Sequence, residues 1–393
     1  MKTETDALRN YGLVYRLIAY DFGSLAPLGF ALTLFVPVLV INLLTVDSGQ
    51  YQILAESLIS GRLDFMSQPL TGWANTAVFN GRHYWPLGVL PAILGMPFMY
   101  LGWYTQGRFN LVACCLIFYL CVRLARRFKY STADALWLAV AVCFATSFIG
   151  VAIWPLSWYL AHVIAVLFLF LALNELEGSR RAWLIGLCIG LAMASRPFAG
   201  ATILFFLAVL NWRDRLAAAI PFCAIGLAMA AYNYARFGNP LEFGYKYQLM
   251  HSGEMFAATM PTFSLRYIPG NLWSFLFALP DSRGLVTSAV LVSPYLIWLL
   301  ARVKWNRTAK IAAANVALIL VALLSFRNVG FFQIGYRFSL DFLPLLFWAI
   351  MRSRVELTRT MKAAISASAL LDMAIAFHFI VTADTRVMPP GLG

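Results

Sequence analysis

Apolar runs long enough to cross a bilayer recur along this chain from near its start to near its end. A spanning helix takes about 20 mostly apolar residues. The runs are Leu28–Val46, Phe109–Val122, Leu136–Val151, Tyr159–Leu173, Ala182–Ala194, Phe198–Leu210, Leu216–Tyr232, Val286–Leu300, Ile311–Phe326, Phe338–Met351 and Ala363–Val381. They use up the chain: 61% of its 393 residues are hydrophobic and 12% charged, against about 45–50% and roughly 25% in a soluble domain. The expected fold is an all-α polytopic membrane protein, one transmembrane domain over residues 1–393 with about eleven spans. The first run lacks a small-residue cleavage site, so it reads as a retained span. The six cysteines all fall within or against apolar runs and read as small packing residues rather than disulfides or metal ligands.

Charge sets the expected topology. The +13 net charge does not call for nucleic acid, because basic residues hold loops on the cytoplasmic side. One apolar stretch, Pro86–Tyr104, is rich in proline and glycine. If it crosses the membrane, the basic turns RLARRFK, RVKWNRTAK and RSRVELTR all fall outside. If it does not, most of the 30 Lys and Arg residues lie inside, in the short connections that weigh most. The stretch therefore reads as a re-entrant or interfacial helix, with protein or a water-filled cavity covering its backbone. The N-terminus is then cytoplasmic. Two long segments face outward: 47–107, with surface and re-entrant helices, and 234–285.

Functional candidates concentrate on that outer side. Asp47 stands where the first span ends. The spacing of Tyr51, Leu54, Ala55 and Leu58 predicts an amphipathic helix from Gly49 to Ile59, which Asp47 and Gln50 resemble a capping box for. Asp47 is equally suited to act as a general base toward an acceptor hydroxyl. Glu56 and Asp64 follow; exposure to solvent is the expectation for both. Arg62 and Arg82 fit a phosphate bidentately or meet lipid headgroups. Asn80-Gly81 marks a turn ahead of His83, Tyr84 and the aromatic-proline entry to the re-entrant helix. Trp154 and Trp158 form an interfacial aromatic belt or a platform for a sugar ring, and His162 lies a turn inside the fourth span. Arg196-Pro197 puts a charge at a helix break. Arg337 and Asp341, at a membrane edge, need a partner and at i, i+4 can pair with each other. Asp372 is a carboxylate in the middle of the last span, a functional candidate by position.

Four stretches together resemble the GT-C superfamily of membrane glycosyltransferases: Asp47 with GQYQILAESLISGRLDF, NGRHYWPLGVLPAILGMPF, WPLSWYLAH and NYARFGNPLEFGY. The likeness runs over roughly residues 28–345. It implies transfer of a sugar from a polyprenyl-phosphate donor to an acceptor hydroxyl on a glycan, lipid or protein, at the extracytoplasmic face of a plasma membrane such as a bacterial inner membrane. It implies that Asp47 is the catalytic carboxylate of the first loop. Arginines at the interface, among them Arg62, Arg82 and Arg337, would stabilise the departing phosphate. His83, Tyr84, Trp154, Trp158, His162 and Arg196 complete the expected substrate-binding set. Asp47-Ser48 departs from the paired acids of many relatives, so no metal and no cofactor are expected. The chain carries no GKS/GKT phosphate loop, HExxH, CxxC pair or nucleophile elbow. A transporter or flippase is the rival expectation. It would place charges such as Asp372 along a midplane path, and would usually show an internal repeat, which this sequence lacks.

Overall fold

The computed structural model describes residues 25–45, 49–70, 72–249, 255, 261–279, 288–327, 330 and 333–382. Among them, six helices are long and apolar enough to cross a membrane. They are α1 (Leu25–Leu44), α4 (Gln106–Arg127), α7 (Ser157–Leu176), α10 (Trp212–Phe237), α14 (Arg307–Leu324) and α16 (Arg359–Thr382). Shorter apolar helices fill in between: α3 (Leu90–Tyr100), α5 (Thr132–Phe144), α6 (Phe148–Ala152), α8 (Ala182–Ser195), α9 (Ile203–Val209), α11 (Ile268–Phe277), α12 (Ala289–Val292), α13 (Tyr295–Leu300) and α15 (Leu343–Arg352). The chain is thus a mostly helical, membrane-embedded protein. Helix α7 is its axis, packed against α4, α8 and α15 and buried on nearly every side. That explains why it is apolar all round rather than striped.

Several predicted spans are not continuous helices. Leu136–Val151 breaks at 145–147 into α5 and α6. Phe198–Leu210 begins as a 3-10 turn over Pro197–Thr202, and Phe338–Met351 follows a 3-10 turn over Arg337–Asp341. Val286–Leu300 is split by Pro294 into α12 and α13, its first two residues lying outside the described ones. Breaks free backbone carbonyls, which lipid cannot satisfy. Pro155 has no N–H to return to the Val151 carbonyl. There Asn110 Nδ2 reaches the Ala152 carbonyl at 2.9 Å and Asn42 Nδ2 reaches it at 2.8 Å. Asn110 Nδ2 also donates to Asn42 Oδ1 at 3.0 Å, so the broken segment is clamped by α1 and α4. Close helix approach depends on small residues: a Cβ on Gly107 would overlap the Asn42 carbonyl, and one on Gly186 the Ala218 carbonyl.

The bundle has two unlike ends. At one, connections are short and basic. Lys362 pairs with Asp134 at 2.6 Å, Arg352 with Glu177 at 3.2 Å, and the Tyr130 hydroxyl donates to the Val355 carbonyl at 3.0 Å. At the other end the two long segments meet. Helix α2 (Gln50–Ile59) and the hairpin of β1 (Ala77–Phe79) and β2 (Arg82–Tyr84) come from the first. The second adds the 3-10 turn Tyr245–Tyr247. They join by a bridge between Ala77 and Gln248 and by the Phe79–Tyr247 ring contact at 4.9 Å. Helix α3 has 11 residues, about 16 Å at the usual rise, too short to cross. Its entrance lies on α8, where Gly88 abuts the carbonyls of Ala194 and Ser195. Its exit leads into Gln106, whose Nε2 donates to the Pro155 carbonyl at 3.1 Å. Both its termini therefore sit at this same end.

Candidate functional site

Asp47, the expected base, lies outside the described residues. The capping expectation changes: helix α2 starts at Gln50 with Gly49 as its N-cap, at φ 74° and with no side-chain cap. Gln50 is engaged elsewhere. The Ser157 hydroxyl lies 2.7 Å from both Gln50 Oε1 and Gln106 Oε1. Of the predicted stripe, Tyr51, Leu54 and Ala55 are fully buried and Leu58 is half-buried. Burial has a polar anchor too, as the Tyr51 hydroxyl donates to the Gly88 carbonyl at 3.1 Å.

The other candidates separate into two groups, each built on one aspartate. The first group is buried. Asp341 is fully enclosed and faces Arg196 through two contacts, Nε–Oδ1 at 3.3 Å and Nη2–Oδ2 at 3.2 Å. His162 Nδ1 lies 3.6 Å from Asp341 Oδ1. This corrects the expected pairing of Arg337 with Asp341. Those residues share a 3-10 turn, not an α-helix, and Asp341 takes its cation from the α8 terminus instead. Phe338 sits among the charges, with Arg196 5.2 Å and Arg337 5.1 Å from its ring centre and His162 stacked at 5.9 Å. Arg337 also lies over Tyr159 at 5.5 Å. Trp154 is buried beside Tyr159, while Trp158 is only partly buried. Trp154 thus reads as part of the packed wall.

Arg236 belongs beside this group, and the predicted binding set omits it. It is 4% exposed. It donates to the Trp85 carbonyl at 2.8 Å and Asn233 Oδ1 at 2.7 Å, and lies over Tyr232 at 4.0 Å. Among the described residues no carboxylate forms an ion pair with it, and its Nε has no partner. A buried guanidinium held only by neutral acceptors is expensive. The Tyr336 hydroxyl, also fully buried, makes no hydrogen bond among the described residues. The available sequence signal was NYARF itself, whose arginine falls four residues past a predicted span.

The second group lines a cleft of about 720 Å³ at the same end, between residues 61–66, Trp73, the β1–β2 hairpin and Ala235. Asp64 is its anchor. Contrary to expectation it is 5% exposed, bonded to Arg62 at 2.6 Å and 3.9 Å from Arg82. Burial alone would raise its carboxyl, but the Arg62 hydrogen bond, a backbone hydrogen bond and the two guanidinium charges outweigh it. Asp64 ends below the usual carboxylate range. Arg62 and Arg82 project outward, 51% and 66% exposed. His83 stacks on Trp73 with ring centres 3.8 Å apart, and Tyr84 turns inward onto Phe237 at 5.3 Å.

Asp372 is fully buried on α16, and among the described residues neither carboxylate oxygen has a hydrogen-bond partner. Among the described residues no cluster of three or more His, Cys, Asp or Glu could hold a metal. No family model matches the chain, no curated protein matches it, and no solved structure matches it. The functional reading therefore rests on these residues.

Proposed function

We propose that this protein is a membrane glycosyltransferase of the GT-C kind, crossing the bilayer about eleven times. It would move a sugar from a polyprenyl-phosphate donor to an acceptor hydroxyl at the non-cytoplasmic face. The observation that carries the reading is the concentration of buried cations, Arg196, Arg236 and Arg337, beneath the two long segments at one end of the bundle. The short basic turns occupy the opposite end. The positive-inside rule makes that opposite end cytoplasmic, which leaves the arginine end facing outward. A lipid phosphate arriving through the bilayer would meet guanidinium groups already desolvated, where charge-assisted hydrogen bonds are strongest. Arg236, held only by neutral acceptors, is the residue that most requires such an anion. Asp47 is the proposed base: it would take the acceptor's proton as the acceptor oxygen attacks the anomeric carbon and the lipid phosphate departs.

The test is transfer of labelled sugar from polyprenyl-phosphate donors by the purified chain in lipid nanodiscs. Activity is expected in the wild type and loss of at least about a hundredfold in Asp47→Asn, as is usual for a missing general base. Unchanged transfer in that variant would remove Asp47 from the mechanism. For topology, cysteines replacing the exposed Asn239 and Arg354 should be labelled from opposite sides of sealed vesicles. The second reading, a transporter or flippase, is favoured by one observation, the unpartnered carboxylate of Asp372. It would be preferred if proteoliposomes moved a substrate across the membrane while no donor supported transfer.

A further inference from the structure

The Asp64 cleft carries a feature that neither the transfer reaction nor a lipid contact uses: the proton inventory of His83. Thr76 Oγ1 lies 2.6 Å from the Trp73 carbonyl and 2.9 Å from His83 Nδ1. A carbonyl can only accept, so the single hydroxyl proton of Thr76 is committed to Trp73. Thr76 must then accept from His83, which places the imidazole proton on Nδ1 and leaves a lone pair on Nε2. Nε2 makes no hydrogen bond among the described residues, and its ring lines the cleft. Burial lowers the imidazole's proton affinity and so favours the neutral ring. The cleft thus holds one unsatisfied acceptor. Its charged groups are Arg62, Asp64 and Arg82, and Tyr84 is the other titratable neighbour.

The cations are unequally used. Arg62 is tied to Asp64 at 2.6 Å, but Arg82 stands 3.9 Å away and is two-thirds exposed. Two guanidiniums therefore share one carboxylate, and Arg82 has spare donors. Trp73, half-buried with its ring against His83, together with Leu63 and Met66, supplies apolar surface. A bare anion would use only the arginines, and a neutral sugar only the imidazole and the rings.

We infer that the cleft binds an anionic saccharide, a sugar bearing a phosphate or carboxylate, with Arg82 and Arg62 on the anion and His83 Nε2 accepting from a ring hydroxyl. A free sugar phosphate and the headgroup of a phosphoglycolipid share that chemistry. The cleft adjoins Arg236 through Ala235 and Tyr84 but has its own, exposed cations in Arg62 and Arg82, and would present or retain the acceptor side of a reaction. The inference does not depend on transfer occurring.

The full chain, purified in detergent without donor, is titrated with glucose 6-phosphate, glucose and inorganic phosphate by calorimetry. Glucose 6-phosphate should bind more tightly than either of the others. Arg82→Ala should weaken it about tenfold, the usual cost of one charge-assisted hydrogen bond. His83→Phe keeps an aromatic ring for Trp73 and removes the acceptor. It should weaken glucose 6-phosphate severalfold while leaving inorganic phosphate unchanged. Nanodiscs containing phosphatidylinositol should compete with glucose 6-phosphate if the headgroup is the natural source; without competition the soluble sugar is the source. Equal binding of glucose 6-phosphate and inorganic phosphate, or an unaffected His83→Phe, overturns the inference. Loss of circular dichroism or of monodispersity in either variant would shift the test to Arg82→Lys. That variant keeps the charge and loses the fork, and should bind with intermediate strength.

Discussion

Two aspartates at the same end of this molecule each stand between cations, and they illustrate opposite regimes of electrostatics. Asp341 meets Arg196 and His162 with every partner less than a tenth exposed. Asp64 meets Arg62 and Arg82 with both guanidiniums more than half in solvent. The bond to Asp64 is the shorter, 2.6 Å against 3.2 Å, yet distance is a poor guide to its contribution. Solvent screens exposed guanidiniums and leaves them entropy to lose, so such pairs contribute little. In the enclosed site each ion has already given up its hydration, and removing either partner strands the other. The Asp341 site is thus held fixed, whereas the Asp64 site can rearrange around what enters.

The largest expected effect is at Asp341. Asp341→Asn should destabilise the protein by about 3–5 kcal/mol, the usual cost of leaving a buried charge unpaired. Thermal unfolding in detergent would measure this. A melting temperature equal to wild type would break the contrast. Second, replacing both partners, Arg196→Met with Asp341→Leu, should recover most of that stability, since buried pairs often yield to apolar groups of similar volume. Transfer activity should not recover if the arginine serves a substrate phosphate. Third, Asp64→Asn should cost several times less than Asp341→Asn, and the loss should shrink further when salt rises from 0.05 to 0.5 M, as exposed partners are screened. An Asp64 effect as large as that of Asp341 would erase the distinction.

The smallest effect is the pH dependence at Asp64. Its carboxyl lies below the usual range in the folded protein, so ionised Asp64 stabilises the fold above the ordinary aspartate value of about 3.9. That contribution is lost as pH falls through the lower folded value. The melting difference between wild type and Asp64→Asn should hold steady from pH 7 to about 5 and vanish under more acid conditions. A difference that grows on acidification contradicts the assigned sign.

Local pattern made some of this legible in advance. Tyr51, Leu54 and Ala55 recur at helical spacing and are buried together on α2, because a 3.6-residue period is written in neighbouring positions. Asn80-Gly81 announced a turn, and both residues take positive φ at the tip of the hairpin. Helix ends were harder to read. Hydropathy passes smoothly through residues 145–147, although α5 stops there, since the break depends on the distant Ser293 and Tyr295 hydroxyls donating to the freed Ala145 carbonyl. For Asp341 the i, i+4 spacing offered Arg337, the nearer residue along the chain. Arg196 lies 145 positions away and no local rule reaches that far.

The chain by itself determined that it belongs in a membrane, because the hydrophobic content of each segment is a sum over adjacent residues and needs no fold to be evaluated. It also determined where the basic short turns fall, and hence that Pro86–Tyr104 should start and finish on one side. Tertiary structure alone decided which cation faces which carboxylate, that Arg236 is buried against neutral acceptors, and that the Thr76 hydroxyl meets Nδ1 of His83. Those outcomes depend on distances between groups far apart in sequence, and such distances exist only once the helices have packed.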